Sequence, residues 1–278
     1  MLSKWCSYLL AFCFFHRVLA QGVAQPEPKT TEYATNNTEI WANYMVELYQ
    51  KDGSFWFSET NLRHSFFPYS PNLGGLPLYN IQQKIGYEKY IDKNWSVGIS
   101  MRGVLEKQEK QLFTQIYVSH VSAISRHTVE LMKYLSFERI DSDNVLKKTE
   151  SRLTIGMALA KTFKIKNSPR LRPILAYDVF MMHTWLLNSH PLYNRRAVDK
   201  SRFRIELAYF LRKNLTIAAY YIDQTDFFVA EPTYTAKGEE TSPLRNLNIT
   251  TPIVGFRIHW LLFNAQKPET IRLRFFPY

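Results

Sequence analysis

Apolar and polar residues alternate strictly along several segments of this chain, each about ten residues long. Segment 95–104 reads WSVGISMRGV, segment 151–163 reads SRLTIGMALAKTF, and segment 201–211 reads SRFRIELAYFL. A period of two predicts β-strands, because successive side chains of a strand leave opposite faces. Each predicted strand therefore has one apolar face and one polar or charged face. Repetition of this pattern along a chain is typical of a transmembrane β-barrel.

The first twenty residues have the pattern of a secretory signal peptide, with cleavage predicted after Ala20. Lys4 provides the positive start, residues 9–15 form an apolar core, and Val18-Leu19-Ala20 fits a small-residue cleavage site. The apolar core is shorter than the ~20 residues that a membrane-spanning helix needs. Both cysteines lie in this segment, so we expect a mature chain with no disulfide and no cysteine-based metal site.

A polar segment with two prolines, 21–38, is predicted to be a flexible N-terminal tail that precedes one barrel domain over 39–278. The domain contains twelve candidate strands: 39–49, 54–65, 77–89, 95–105, 111–121, 128–139, 151–163, 170–182, 201–211, 214–227, 252–263 and 270–276. Short and long connections alternate between them, which predicts an antiparallel up-and-down barrel. Twelve strands would place both chain ends on the long-connection side, whereas both are expected in the periplasm. Ten strands, without the first and last candidates, remain the alternative.

Aromatic residues near the predicted strand ends are expected to form girdles at the two membrane interfaces. These residues are Trp41, Phe55, Phe57, Tyr87, Trp95, Phe137, Tyr177, Trp185, Tyr209, Tyr221, Trp260 and Phe263.

If the apolar face meets lipid, the alternate face lines the lumen, and that face is rich in arginine. Its predicted members are Lys84, Arg102, Arg152, Arg170, Arg172, Asp178, Arg202, Arg204, Glu206, Gln224, Arg257 and His259. One interpretation is a set of ion pairs that fills a narrow barrel and holds it rigid. The other is an anion-selective passage, because rings of arginine attract anions and repel cations. The two interpretations are compatible. The formal net charge of +11 also suits anionic lipid headgroups or an anionic solute, and export argues against a nucleic-acid partner.

Patterns that would indicate catalysis or a metal site are weak. His120 and Ser122 are close in sequence, but Ser122 lies in a predicted turn. His183 and His190 flank a predicted loop without a nearby carboxylate pattern, and surface histidines explain them better. Asp223, Asp226 and Glu231 are an equally weak cation site. We therefore predict no catalytic residue, no metal site and no cofactor.

Several segments of the chain resemble the uncharacterised Bacteroidota family known as domain of unknown function 2490. They include YEKYIDKNWSVGISM, RLRPILAYDVFMM and RFRIELAYFLRKNLTIAAYYIDQ. The most specific pieces are Arg172-Pro173 with Asp178 where the family often has glutamate, Glu138-Arg139, and the RFR strand with Gln224. The resemblance runs from about Trp41 to Phe263 and is followed here by an extra tail, 264–278. It implies an outer-membrane β-barrel and transfers no activity.

The sequence thus predicts a Gram-negative outer-membrane barrel, either structural or a narrow channel for small anionic solutes, with outer-membrane lipids as partners. An outer-membrane lipid-modifying hydrolase and a soluble periplasmic ligand-binding barrel are the alternatives. No oligomeric state is predicted.

Overall fold

The structure is a computed structural model that describes residues 30–66, 78–106, 109–125, 129–143, 150–165, 168–183, 198–230, 232–234 and 240–263. The regular elements within these ranges are all β-strands. They are β1 (Thr30–Thr35), β2 (Glu39–Tyr49), β3 (Phe55–Ser65), β4 (Asn80–Tyr90), β5 (Trp95–Glu106), β6 (Lys110–Ser125), β7 (Val129–Ser142), β8 (Glu150–Lys161), β9 (Phe163–Ile165), β10 (Ser168–His183), β11 (Lys200–Arg212), β12 (Leu215–Ala230), β13 (Thr233–Tyr234), β14 (Glu240–Ser242) and β15 (Arg245–Phe263). The described residues include no helix long and apolar enough to cross a membrane.

Eleven strands form a closed barrel, which confirms the predicted all-β barrel fold. Each barrel strand pairs antiparallel with the next along the chain, from β2 through β8, then β10, β11, β12 and β15. The barrel closes where β15 pairs with β2 in parallel. The closing pair is parallel because eleven strands are joined by ten antiparallel steps, and an even number of reversals leaves the first and last strands running in the same direction. The eleven barrel strands correspond to the first eleven candidates, and the twelfth, 270–276, lies outside the described residues.

The connections separate into two rims. The strand ends that border connections 50–54, 91–94, 126–128, 162–167 and 213–214 lie at one end, here called the short-turn rim. The strand ends that border connections 66–79, 107–109, 143–149, 184–199 and 231–244 lie at the other end, here called the long-loop rim, although 107–109 is itself short. β2 starts at the long-loop rim and β15 ends at the short-turn rim. With eleven strands, only the C-terminal end of the barrel lies on the short-turn side expected for the periplasm, and the conflict remains for the N-terminal end.

The turn between β2 and β3 shows how the short-turn rim is fixed. Gly53 has a φ of 83°, a left-handed conformation that glycine adopts without steric cost. Asp52 Oδ1 accepts hydrogen bonds from the Ser54 hydroxyl at 2.5 Å and the Ser54 amide at 3.0 Å. These bonds lower the pKa of the Asp52 carboxyl.

Part of the predicted N-terminal tail is paired with the barrel. β1 pairs in parallel with residues 245–250 of β15, in line with the β2 pairing further along the same strand. The Asn36 amide donates to the Thr250 carbonyl at 2.8 Å, within the irregular step between β1 and β2. The predicted signal peptide lies outside the described residues.

The two faces of the barrel wall are the reverse of those of a soluble protein. On β11, the outward-facing side chains of Phe203, Ile205 and Leu207 are 42%, 48% and 50% exposed. The intervening Arg202 and Arg204 are 5% and 3% exposed. Apolar side chains therefore cover the outside of this wall, and charged side chains fill the interior.

Three residues that we predicted for the aromatic girdles lie inside the barrel instead. Trp41, Phe55 and Phe57 are 1%, 0% and 3% exposed. Phe55 and Phe57 are an even number of positions from Arg63 along β3, so their side chains lie on the same, polar face of the strand. Those predictions were wrong because an aromatic residue near a strand end fits an interior packing role as well as a membrane-interface role.

Four inward-facing glycines lie beneath aromatic rings of the neighbouring strands. A Cβ atom on any of these glycines would overlap the ring above it. The pairs are Gly86 with Phe57, Gly98 with Tyr117, Gly156 with Tyr134, and Gly255 with Tyr220. Each glycine thus allows a large ring to lie flat against the inner wall.

Candidate functional site in the barrel interior

The long-loop half of the interior contains a layer of arginine and aromatic side chains, here called the Arg–aromatic layer. Every member lies within four positions of the strand end at the long-loop rim. The members are Trp41, Arg63, Arg102, Phe113, Glu138, Arg152, Phe180 and Arg202. The layer crosses the interior because these residues come from eight different strands.

Arginines and rings alternate on one side of the layer. The Arg63 Cζ atom lies 3.7 Å from the ring centroid of Trp41. The Arg202 Cζ atom lies 5.6 Å from the same ring and 4.9 Å from the ring of Phe180. Both separations are within the range of cation–π attraction, which strengthens where water is excluded.

The alternation continues across the layer to a shared carboxylate. The Arg152 Cζ atom lies 5.0 Å from the Phe180 ring and 5.8 Å from the Phe113 ring. The Arg102 Cζ atom lies 4.1 Å from the Phe113 ring. Glu138 accepts hydrogen bonds from Arg152 and, at 3.1 Å, from Arg102. Glu138 therefore offsets part of the positive charge of this half of the layer.

The layer's own members are four arginines and one carboxylate, so their summed charge is positive, and Glu59, Asp178 and Asp226 lie near enough to offset part of it. Arg63, Arg102 and Arg202 are 8%, 7% and 5% exposed. Desolvating a charge is costly, and stacking on rings and pairing with Glu138 only partly compensate for lost hydration. A buried, net-positive layer favours the entry of an anion.

A second group of charges lies deeper in the interior. Glu206 is 1% exposed and accepts a hydrogen bond from Arg257, which comes from β15. The Arg204 Nη1 atom lies 3.6 Å from the Glu206 Oε2 atom. Arg202 Nε donates to Gln224 Oε1 at 2.7 Å. Here the ratio of arginine to carboxylate is closer to balance, as expected for an interior held by ion pairs.

Further pairs connect strands that are not neighbours. The Tyr134 hydroxyl donates to Asp178 Oδ1 at 2.6 Å, and Arg172 donates to Glu130. Between the neighbouring strands of the closing pair, β15 and β2, His259 Nε2 also lies 3.3 Å from Glu47 Oε1. These contacts join side chains of different strands across the interior and make it rigid.

The structure places most of the predicted lumen residues on the inner face, in two groups. Those that are at most 8% exposed are Lys84, Arg102, Arg172, Asp178, Arg202, Arg204, Glu206 and Arg257. Arg152, Gln224 and His259 are partly buried, and the side chain of Arg170 lies outside the description. Arg102 and Arg152 meet at Glu138, and Arg204 and Arg257 meet at Glu206.

Sequence reasoning missed five members of the Arg–aromatic layer: Trp41, which it assigned to an aromatic girdle, and four that it assigned to neither face. Arg63, Phe113, Glu138 and Phe180 lie on the inner face, although none was predicted there. Parity within a strand was a sufficient signal for Glu138, because it alternates with the outward-facing Phe137 and Arg139. The meeting of these residues across the barrel is set by pairing register, which no local pattern contains.

Among the described side chains, the weak catalytic and metal patterns do not come together. The His120 ring packs against Trp95, with centroids 4.5 Å apart, on the outward side of the wall. Asp226 pairs with Lys200 at 2.9 Å, while His183, His190 and Glu231 have no described side chains. In the part of the chain that the structure describes, no group of three or more potential metal ligands occurs.

A scan of protein-family models found no match, and a search of curated proteins found no similar sequence. Among solved structures, the chain is similar to "NanC porin structure in rhombohedral crystal form". That match has 11% sequence identity and a TM-score of 0.40, and it covers 78% of this chain and 97% of that one. The fold described above rests on the strand pairings of this chain and not on that similarity.

Proposed function

We propose that this chain is a Gram-negative outer-membrane β-barrel that forms a narrow passage for small anions, with the Arg–aromatic layer as its constriction. The observation that carries the proposal is the composition of that layer: three buried arginines, one partly buried arginine and one carboxylate. Outer-membrane lipids are the surrounding partners. The similarity to the Bacteroidota family stays a prediction.

The outward faces support a membrane location. Five successive outward positions on β11, from Phe203 to Leu211, are apolar or aromatic and at least 40% exposed. At about 3.4 Å per residue they extend roughly 27 Å along the strand, or about 20 Å along the membrane normal after tilting by ~40°. That height approaches the ~25 Å apolar band of transmembrane barrels. A soluble barrel with the same wall would expose a continuous apolar surface to water, which monomeric soluble proteins avoid.

The charge distribution supports anions as the transported class. An anion that reaches the layer meets fixed guanidinium groups, whereas a cation meets their repulsion. The same contacts provide rigidity, because Glu138 and Glu206 each hold two arginines. Structural ion pairs and an anion-selective constriction therefore coexist in one interior.

The experiment is a measurement of reversal potential in planar bilayers under a KCl gradient. The purified chain should show anion selectivity, and Arg152→Gln with Arg202→Gln should reduce it. Arg139→Gln is the matched control, because Arg139 points outward and pairs with Asp141 at the long-loop rim. Cation selectivity, silence at all voltages or unchanged selectivity in the double variant would contradict the passage. Recovery of the chain in the soluble periplasmic fraction would contradict the location.

A further inference from the structure

The Arg63 guanidinium is held in one orientation near the long-loop rim. It stacks over Trp41, its register partner across β2 and β3, at 3.7 Å from the ring centroid. It also hydrogen-bonds with Tyr79, whose hydroxyl donates to Glu39 Oε2 at 2.6 Å. The Trp41 Nε1 atom donates to the same Glu39 oxygen at 2.7 Å, which fixes the ring beneath the guanidinium. Arg63 is therefore pre-positioned, which lowers the entropy that binding would cost.

One edge of this guanidinium is unsatisfied. The Arg63 Nε and Nη2 atoms are buried and have no hydrogen-bond partner within the described chain. These two N–H groups point in parallel from one edge, and that edge is the fork that binds both oxygens of a carboxylate. Buried donors are normally satisfied, so an empty fork calls for an explanation.

Unsatisfied amide groups lie on the same part of the inner face. Asn61 precedes Arg63 by two positions on β3 and is 3% exposed. Its Oδ1 and Nδ2 atoms both lack a hydrogen-bond partner in the described ranges. Asn80, the register partner of Arg63 on β4, has an unsatisfied Oδ1 atom, while its Nδ2 atom donates to Glu106. This surface thus offers both donors and acceptors.

The balance of donors and acceptors narrows the chemistry of a ligand. A bare anion satisfies the arginine fork but leaves the amide oxygens unsatisfied. A carboxylate that carries a hydroxyl group satisfies the arginine fork and also one amide oxygen, because its hydroxyl donates to that oxygen. The Asn61 amide offers one donor and one acceptor whichever way it is turned.

We propose that Arg63, Asn61 and Asn80 form a binding site for a small hydroxycarboxylate anion in the long-loop half of the barrel. The carboxylate binds the Nε–Nη2 edge of Arg63, and the hydroxyl donates to one of the two asparagine oxygens. The site deepens the proposed function, on which it rests for the route by which a solute reaches the interior.

The test measures binding of L-lactate to the purified barrel in detergent by calorimetry, with acetate and chloride as comparison anions at equal ionic strength. Lactate should bind saturably, acetate several-fold more weakly, and chloride should produce no saturable signal. Arg63→Lys removes the fork but keeps the charge, and should weaken lactate binding about tenfold. Arg139→Lys is the control for a change at an exposed arginine and should bind as the wild type does.

A second variant keeps the test decisive if Arg63→Lys fails to fold. Asn61→Asp preserves the side-chain shape and places a carboxylate beside the fork, so it should raise the melting temperature and abolish lactate binding. Equal responses to lactate and chloride, or unchanged binding by both variants, would overturn the proposal. The proposal would also be overturned if the wild type bound no lactate while Asn61→Asp raised the melting temperature. In that case a buried water alone would occupy the site.

Binding and conduction are measured separately, so the two proposals can fail separately. Lactate binding without anion selectivity in bilayers would contradict the proposed passage but support the proposed binding site. Anion selectivity without lactate binding would contradict the binding site but support the passage.

Discussion

At the scale of single residues, small and large side chains are matched on the inner wall. Tyr134 lies over Gly156 on the next strand and donates to Asp178 one strand further on. Tyr117 lies over Gly98 and donates to Glu88 at 2.9 Å in the same manner. Each tyrosine thereby joins three strands, and it does so only because the middle strand has no side chain beneath the ring.

This matching predicts that Gly156→Ala destabilises the barrel. The new methyl group would displace the Tyr134 ring and weaken its hydrogen bond to Asp178, at a cost of about 1–3 kcal/mol in the free energy of unfolding. Gly103→Ala is the matched control, because nothing lies within 4 Å of the position its Cβ would occupy. We expect that control to change stability by less than about 0.5 kcal/mol. Urea unfolding in detergent measures both, and equal losses would show that ring stacking is not the cause.

At the scale of strands, the closing pair is the feature that needs the most support. β2 and β15 pair in parallel, and they are the first and last strands of the barrel. Tyr220 on β12 lies over Gly255 on β15 and donates to Asn43 on β2. His259 and Glu47 make a second contact across the same pair. Side-chain contacts therefore reinforce the pairing that joins the first and last strands of the barrel.

Tyr220→Phe should weaken this closure while keeping the ring over Gly255. Loss of the hydrogen bond to Asn43 is expected to cost about 1–3 kcal/mol, because the buried Asn43 oxygen loses its donor. The temperature at which the folded band disappears on a heat-modifiability gel should fall. Tyr221→Phe removes a hydroxyl from the outward face and serves as control. An equal shift for both variants would contradict a role for Tyr220 in closure.

Alternation along the sequence was enough to predict the strands and their two faces. It located ten of the eleven barrel strands to within four residues, began β15 seven residues late, and placed Arg202, Arg204 and Glu206 on the polar face. It could not supply the parallel closure, because pairing between β2 and β15 depends on the number of strands and leaves no local pattern. It also misassigned Trp41, Phe55 and Phe57, because aromatic residues are favourable both at a membrane interface and in stacks with arginine. Parity could have placed Glu138 on the inner face, but its contact with Arg102 and that of Arg63 with Trp41 depend on the pairing register of the strands.

At the scale of the whole molecule, the barrel combines an apolar exterior with a filled, basic interior. Narrow barrels have little free interior, and here Trp41, Phe180 and Glu206 are at most 1% exposed. The short-turn half contains paired charges, and the long-loop half contains the net-positive layer. In our account, the side chains of that layer restrict the lumen and the arginines among them select its solutes.

The conductance of single channels tests this central claim most directly. Phe113→Ala with Phe180→Ala removes two rings of the layer and keeps all four of its arginines. The account predicts a larger single-channel conductance with anion selectivity retained, whereas Leu207→Ala on the outward face should leave conductance unchanged. A double variant that folds and conducts no more than the wild type would contradict the claim that the Arg–aromatic layer is the constriction.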